Sequence, residues 1–146
     1  MENLDDLYSD LIMEHSCCSP HKKEIKCPTC CMMGHNPNCG DEIKLDLVIE
    51  GDKIVDMAFS GHGCAISQSS TSIMIEVLKG KTVNEAKKIV ETFIKMIKRE
   101  KLTESEREVL KDGVIFENIS NMPARVKCAL LSWHTLENLL EELNKK

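Results

Sequence analysis

Apolar and polar positions recur with two different periods along this chain, and the change of period divides it. Ile43, Leu45, Leu47 and Ile49 alternate with Lys44, Asp46, Val48 and Glu50, the period of two that a half-buried strand requires. Gly51-Asp52 is a two-residue turn signal, and Val55, Met57 and Phe59 alternate again beyond it. The pattern predicts a β-hairpin with one apolar face. Beyond the sequence SGHGC the period lengthens. Residues 70–79 read as a helix with Ile73, Val77 and Leu78 inward and Gly80 as its stop. Thr82 and Glu85 form a capping box ahead of Val83, Ala86, Ile89, Val90, Phe93, Ile94 and Ile97. Thr103 and Glu106 repeat the box for a short charged helix closing near Asp112-Gly113, and Pro123 suits the first turn of a last helix ending near Asn144. At the other end, Leu4, Leu7, Tyr8, Leu11 and Ile12 lie at helical spacing within residues 1–14. Residues 15–38 show no period; with five cysteines, three histidines and three prolines they read as an ordered or metal-organised loop. Strands precede most of the helices, so the expected class is α+β, with helices covering one face of a small antiparallel sheet.

Composition narrows the function. At 146 residues and 42 % apolar the chain suits one domain with an ordinary core. A net charge of −5 argues against nonspecific nucleic-acid binding, which needs a basic face against phosphates. No apolar run approaches the about 18 residues of a membrane span, and the acidic start MENLDDLYSD is unlike a signal peptide, so a soluble, cytoplasmic protein is expected. Aromatics are few, leaving aliphatic residues and methionine to fill most of the core. Eight cysteines in a reducing compartment point to metal ligation or sulfur chemistry before structural bridges, although the even count leaves disulfides open.

Three cysteines stand in suggestive settings. Cys39 lies in Asn36-Pro37-Asn38-Cys39-Gly40-Asp41, a turn sequence; with extended backbone the side chains of Cys39 and Asp41 point the same way, a two-ligand arm for zinc or iron. Cys64 lies in Gly61-His62-Gly63-Cys64, shortly before a helix start that favours the thiolate, with His62 as a further ligand candidate or a solvated loop histidine. Cys128 lies early in the last helix. On a wheel of about 100° per residue, Val126, Ala129, Leu130, Trp133, Leu136, Leu140 and Leu143 form one stripe, and Cys128 falls roughly 130° from its centre, off the core face. A lone cysteine is ordinarily a small buried hydrophobe, and that reading stands beside the functional one for each.

Taken together, NPNCGD, GHGCAISQSS and ARVKCALLSW resemble the U-type iron–sulfur assembly proteins, the family of IscU, SufU and the NifU N-terminal domain, and the likeness spans nearly the whole chain. The resemblance implies about three antiparallel strands with helices on one side. It implies sulfur accepted as persulfide from a pyridoxal-phosphate cysteine desulfurase of the SufS, IscS or NifS type. The product is a [2Fe–2S] cluster on three cysteines plus one ligand, or sulfur relayed at a zinc site to a downstream scaffold or apo-protein. Carried over by motif, the metal ligands are Cys39, Asp41, Cys64 and Cys128, with Cys39 as sulfur acceptor and Arg125 placed to pair with Asp41 or steer a persulfide. Lys127, where cluster scaffolds of the family carry histidine, and the inserted segment 99–122 lean toward the SufU branch. On this reading residues 1–146 form one domain and 15–38 an inserted cysteine-rich loop.

That loop departs from the family pattern. Cys27-x-x-Cys30 has metal-like spacing, and Cys17, Cys18 and Cys31 with His15, His21 or His35 offer further ligands for a candidate second zinc or iron–sulfur site. A redox-active vicinal pair and loosely ordered thiols are the other readings. Three functions therefore remain open: a cluster scaffold, a zinc-dependent sulfurtransferase that never carries a cluster, and a zinc-stabilised desulfurase adaptor.

Overall fold

The computed structural model describes residues 2–17, 19–36 and 40–144. The chain runs α1 (Glu2–Cys17), β1 (Cys30–Asn36), β2 (Asp41–Glu50), β3 (Lys53–His62), α2 (Ala65–Leu78), α3 (Val83–Ile97), α4 (Glu104–Leu110), a run of 3₁₀ turns (Lys111–Asn121) and α5 (Pro123–Asn144). The three strands form one antiparallel sheet in the order β1-β2-β3. This is the α+β class that the pattern predicted.

The hairpin closes as its turn sequence requires: Glu50 pairs with Lys53 across Gly51-Asp52, and Gly51 takes φ +65°. Ile43, Leu45 and Leu47 are fully buried beneath the helices, with Met57 and Phe59 beside them. The alternation in β3 is interrupted, however. Val48 pairs with Asp56 and Ile49 with Ile54, so Val55 is an extra residue in a bulge. Ile54 therefore takes the buried position at that end, while Val55 is only half-buried.

Residues 15–38 are not a loop throughout. Helix α1 continues to Cys17, and Cys30–Asn36 forms the third strand, with Cys30 opposite Leu47 and Asn36 opposite Asp41. The stretch CCMMGHN lacks a strand-like apolar alternation, which is why periodicity passes over it; pairing with β2 makes it a strand. Between α1 and β1 the chain straps the sheet. It pairs with β3 (Phe59 N–H to the His21 carbonyl, 3.0 Å; Lys23 N–H to the Phe59 carbonyl, 2.8 Å). It then donates Ile25 N–H to Asp46 Oδ2 at 3.1 Å and reaches β1. That strap buries Asp46, which the alternation alone would leave at the solvent face.

Helix α2 begins at Ala65, five residues before its expected start, and is buried almost all round rather than on one face. Its hydroxyl residues make this tolerable. Ser69 Oγ and Thr71 Oγ1 donate back to the carbonyls of Ala65 and Ser67 at 2.7 Å each, and Ser70 Oγ crosses to the Ala129 carbonyl of α5 at 2.6 Å. Trp133 Nε1 in turn donates to Ser70 Oγ at 2.9 Å, while its ring stacks on Phe93 with centroids 3.9 Å apart. Both predicted capping boxes are present, at Thr82/Glu85 and Thr103/Glu106. Helix α4 ends at Leu110, and Lys111, at φ +49°, turns the chain into the 3₁₀ run.

Helix α5 has two buried sides. Trp133, Leu136 and Leu140 pack as the wheel predicts, but Cys128, Ser132, Thr135 and Leu139 are buried as well. Thr135 meets Gly34 of strand β1 and Cys128 meets Asp41 and Cys64, contacts the wheel could not anticipate. The approach is close: a Cβ on Gly34 of β1 would stand 1.9 Å from Thr135 Oγ1, so only glycine fits there. The expectation that Cys128 lies off the core is therefore corrected; it is 1 % exposed.

Candidate metal centre

Three elements end at one corner of the molecule: the start of β2, the β3–α2 junction and the first turns of α5. Asp41 is the first residue of β2, fixed by the pairing of its strand with β1 on one side and β3 on the other. Gly61, at φ +112°, lets β3 pass the Glu42 carbonyl, to which a Cβ would approach within 2.1 Å. Gly63 then brings the chain against Asp41; a Cβ there would meet Ser67 Oγ at 2.3 Å and Asp41 Oδ1 at 2.7 Å. Cys64 follows as the N-cap of α2, in extended backbone and with no side-chain cap bond, which keeps its Sγ out of the helix terminus. Its N–H instead donates to Asp41 Oδ1 at 3.0 Å.

The result is a convergence. One ligand atom from each of Asp41, Cys64 and Cys128 lies within 4.8 Å of the others. Asp41 and Cys128 are each 1 % exposed, and Cys64 is half-buried on the open side. Asp41 Oδ2 is buried without a hydrogen-bond partner. Leaving a buried carboxylate oxygen unpaired costs at least about 1–3 kcal/mol, so the corner is poorly satisfied by the protein alone. A carboxylate oxygen and two sulfurs in reach of one point form a donor set that fits zinc or iron, with room for a further ligand. Cys39, expected to supply it, lies outside the described residues, as do Pro37 and Asn38; of the residues that flank them, Gly40 donates its N–H to the Asn36 carbonyl at 2.9 Å.

The other candidates sit elsewhere. The His62 side chain is 72 % exposed and faces Glu42 Oε2 at 3.3 Å, outside the cluster. Arg125 and Lys127 are exposed, and Arg125 forms no ion pair with Asp41. Of the amino-terminal cysteines, Cys17, Cys27 and Cys31 are exposed, Cys30 is half-buried, and Cys18 lies outside the described residues. Among the described residues none of them joins a group of three metal-competent atoms. A second such group does exist, but its members are His15, Glu76 and Asp112. Sequence reasoning noted His15 and overlooked Glu76, although it is the one charged residue of α2.

A three-stranded antiparallel sheet under helices, with an aspartate and two cysteines gathered where strand and helix ends meet, defines a class. The chain belongs to the NifU-like N-terminal domain family, matched over residues 7–138. It is 37 % identical over 135 residues to the zinc-dependent sulfurtransferase SufU of Bacillus subtilis, covering 92 % of this chain and 90 % of that one. It is 35 % identical over 139 residues to the iron–sulfur cluster assembly scaffold protein IscU of Thermotoga maritima, covering 95 % and 96 %. A crystal structure from Fervidobacterium islandicum AW-1, named for iron–sulfur cluster assembly in the SUF system, superimposes with a TM-score of 0.86 at 41 % identity over 92 % of this chain and 97 % of that one. No helix among the described residues is long and apolar enough to cross a membrane.

Proposed function

We propose that this protein serves iron–sulfur cluster assembly by accepting persulfide sulfur from a cysteine desulfurase at a centre made of Cys39, Asp41, Cys64 and Cys128. The proposal rests on Asp41, whose buried Oδ2 has no hydrogen-bond partner and whose carboxylate is gathered with the Cys64 and Cys128 sulfurs within 4.8 Å. Zinc or iron held by these four residues would keep the thiols deprotonated at neutral pH and give the carboxylate its missing partner.

The transfer itself needs a thiolate and an approach path. Cys39 is the acceptor in this reading, because its sequence setting Asn36-Pro37-Asn38-Cys39-Gly40 is that of a turn, whereas Cys128 is buried. Its sulfur attacks the outer sulfur of the donor's cysteine persulfide. The donor's S–S bond breaks, its cysteine leaves as thiolate, and Cys39 becomes the persulfide with no net change in oxidation. Arg125, exposed at the start of α5, is the available cation to steer the anionic persulfide. Asp41 holds the Cys64 backbone through Oδ1 while its buried Oδ2 is left without a partner, so one carboxylate both shapes the corner and keeps an oxygen free for a cation.

A second reading has support of its own. Lys127 precedes Cys128 and the 99–122 segment lengthens the chain between Cys64 and Cys128, features that suit a zinc-dependent sulfurtransferase that never carries a cluster. Elemental analysis of protein purified without oxygen and without added metal separates the two. Iron with matching acid-labile sulfide supports the scaffold, and zinc without iron supports the relay. Normal sulfur acceptance by Cys39→Ala would move the acceptor to Cys64 or Cys128.

A further inference from the structure

A second set of ligand-bearing side chains meets at the far end of α2. Cys64 caps the start of that helix and Glu76 lies twelve residues on, about 18 Å along its axis, so this cluster is separate from the cysteine centre. His15 comes from the last turn of α1, Glu76 from α2 and Asp112 from the 3₁₀ run; one ligand atom of each lies within 4.8 Å of the others. His21, on the strap, brings its Nε2 to 3.4 Å from Glu76 Oε1, while His15 Nε2 stands 3.9 Å from Glu76 Oε2. In a tetrahedral zinc site with bonds of about 2 Å, neighbouring ligand atoms lie about 3.3 Å apart, so these separations need only small side-chain adjustments.

The imidazoles are held as metal ligands usually are. His15 is buried and its Nδ1 is hydrogen-bonded to Ser72 Oγ at 2.8 Å, leaving Nε2 turned toward Glu76. Ser72 also bonds Ser19 Oγ at 2.7 Å, and Ser19 Oγ accepts the His21 N–H at 3.1 Å. The His21 carbonyl is fixed by Phe59 of β3. One network thus positions both rings. Two neutral imidazoles and two carboxylates carry a charge of −2, which a divalent cation cancels, and Asp112 and Glu76 remain open enough to solvent to admit it.

The geometry points to a second metal site at His15, Glu76 and Asp112, with His21 as fourth ligand, that takes zinc or another borderline divalent cation and clips α1 and the strap to the body of the protein. This site does not depend on the function proposed for the cysteine centre.

The test is a titration of the full, reduced chain with zinc, followed through the histidine ring resonances by NMR. Once the thiols have taken the first equivalent, a second should move the His15 and His21 signals and leave His62 and His134 in place. Glu76→Gln should weaken that second binding by about 10–100-fold without disturbing the first. Asp112→Asn changes an exposed residue and should act in the same direction in a chain that folds normally. Ring signals that stay still past the first equivalent, a second equivalent taken up without His15 moving, or unchanged affinity in both variants would each overturn the site.

Discussion

The two cysteine-bearing regions of this protein make an instructive pair. The amino-terminal region holds five of the eight cysteines, including a Cys-x-x-Cys, yet the described ones are spread along a helix end, a strap and a strand edge. Cys30 and Cys31, as strand neighbours, point to opposite faces of β1. Asp41, Cys64 and Cys128 have no close spacing at all, being separated by 23 and 64 residues, yet they converge. Local spacing counts for less than what anchors each residue. The three converging side chains come from the ends of elements locked by the sheet, by tight glycine passages and by the α5–β1 contact, so their relative positions are set by the core.

The largest effect is expected from removing a converging residue. Cys64→Ser or Cys128→Ser should lower metal retention at the centre by at least about 10-fold, read by elemental analysis after dialysis, with Asp41→Ala acting in the same direction. Replacing Cys27 and Cys30 together by serine should leave that metal content unchanged; a lost equivalent would return the amino-terminal thiols to the list of ligands.

Next come the passages that bring the elements together. Gly34→Ala should destabilise the fold by about 1–3 kcal/mol in urea unfolding, because its methyl group would enter Thr135, and Thr135→Ala should recover part of the loss in the double variant. Gly63→Ala should instead disturb the centre, since its methyl group meets Asp41; metal retention should fall further than stability does. Ser70→Ala strands the Trp133 N–H and should cost about 1–3 kcal/mol with the centre unaffected.

The smallest expected effect lies at the two capping boxes. The Thr82 backbone N–H holds the Glu85 carboxyl below the usual carboxylate range, and the Thr103 backbone N–H does the same for Glu106. A carboxyl depressed in the folded state stabilises the protein above its unfolded pKa of about 4.3, and the contribution is lost as pH falls through the lower folded value. Thermal midpoints of Glu85→Gln and Glu106→Gln should therefore differ from the parent at neutral pH and converge with it in acid.

Much of the fold was legible along the chain because the deciding interactions are short-ranged. The hairpin rests on alternation and a Gly-Asp turn, both capping boxes on residues three apart, and the last helix on Pro123 at its start. The candidate centre was legible as three motifs, through resemblance more than through physics. Other features needed the third dimension. The sequence of β1 carries no strand pattern and becomes a strand by pairing with β2. Cys128 is buried at the corner where Asp41 and Cys64 meet it, on a side of α5 that a helical wheel leaves open. Asp46 is buried by the strap. Val55 falls out of phase through a bulge, and Glu76 meets two histidines more than fifty residues away. The elements and the chemistry they carry can be read along the chain, because propensity, capping and turns act within a few residues. Only the tertiary structure decided which side chains share a site, because burial and ligand convergence depend on partners far apart in the chain, brought together as the whole core packs.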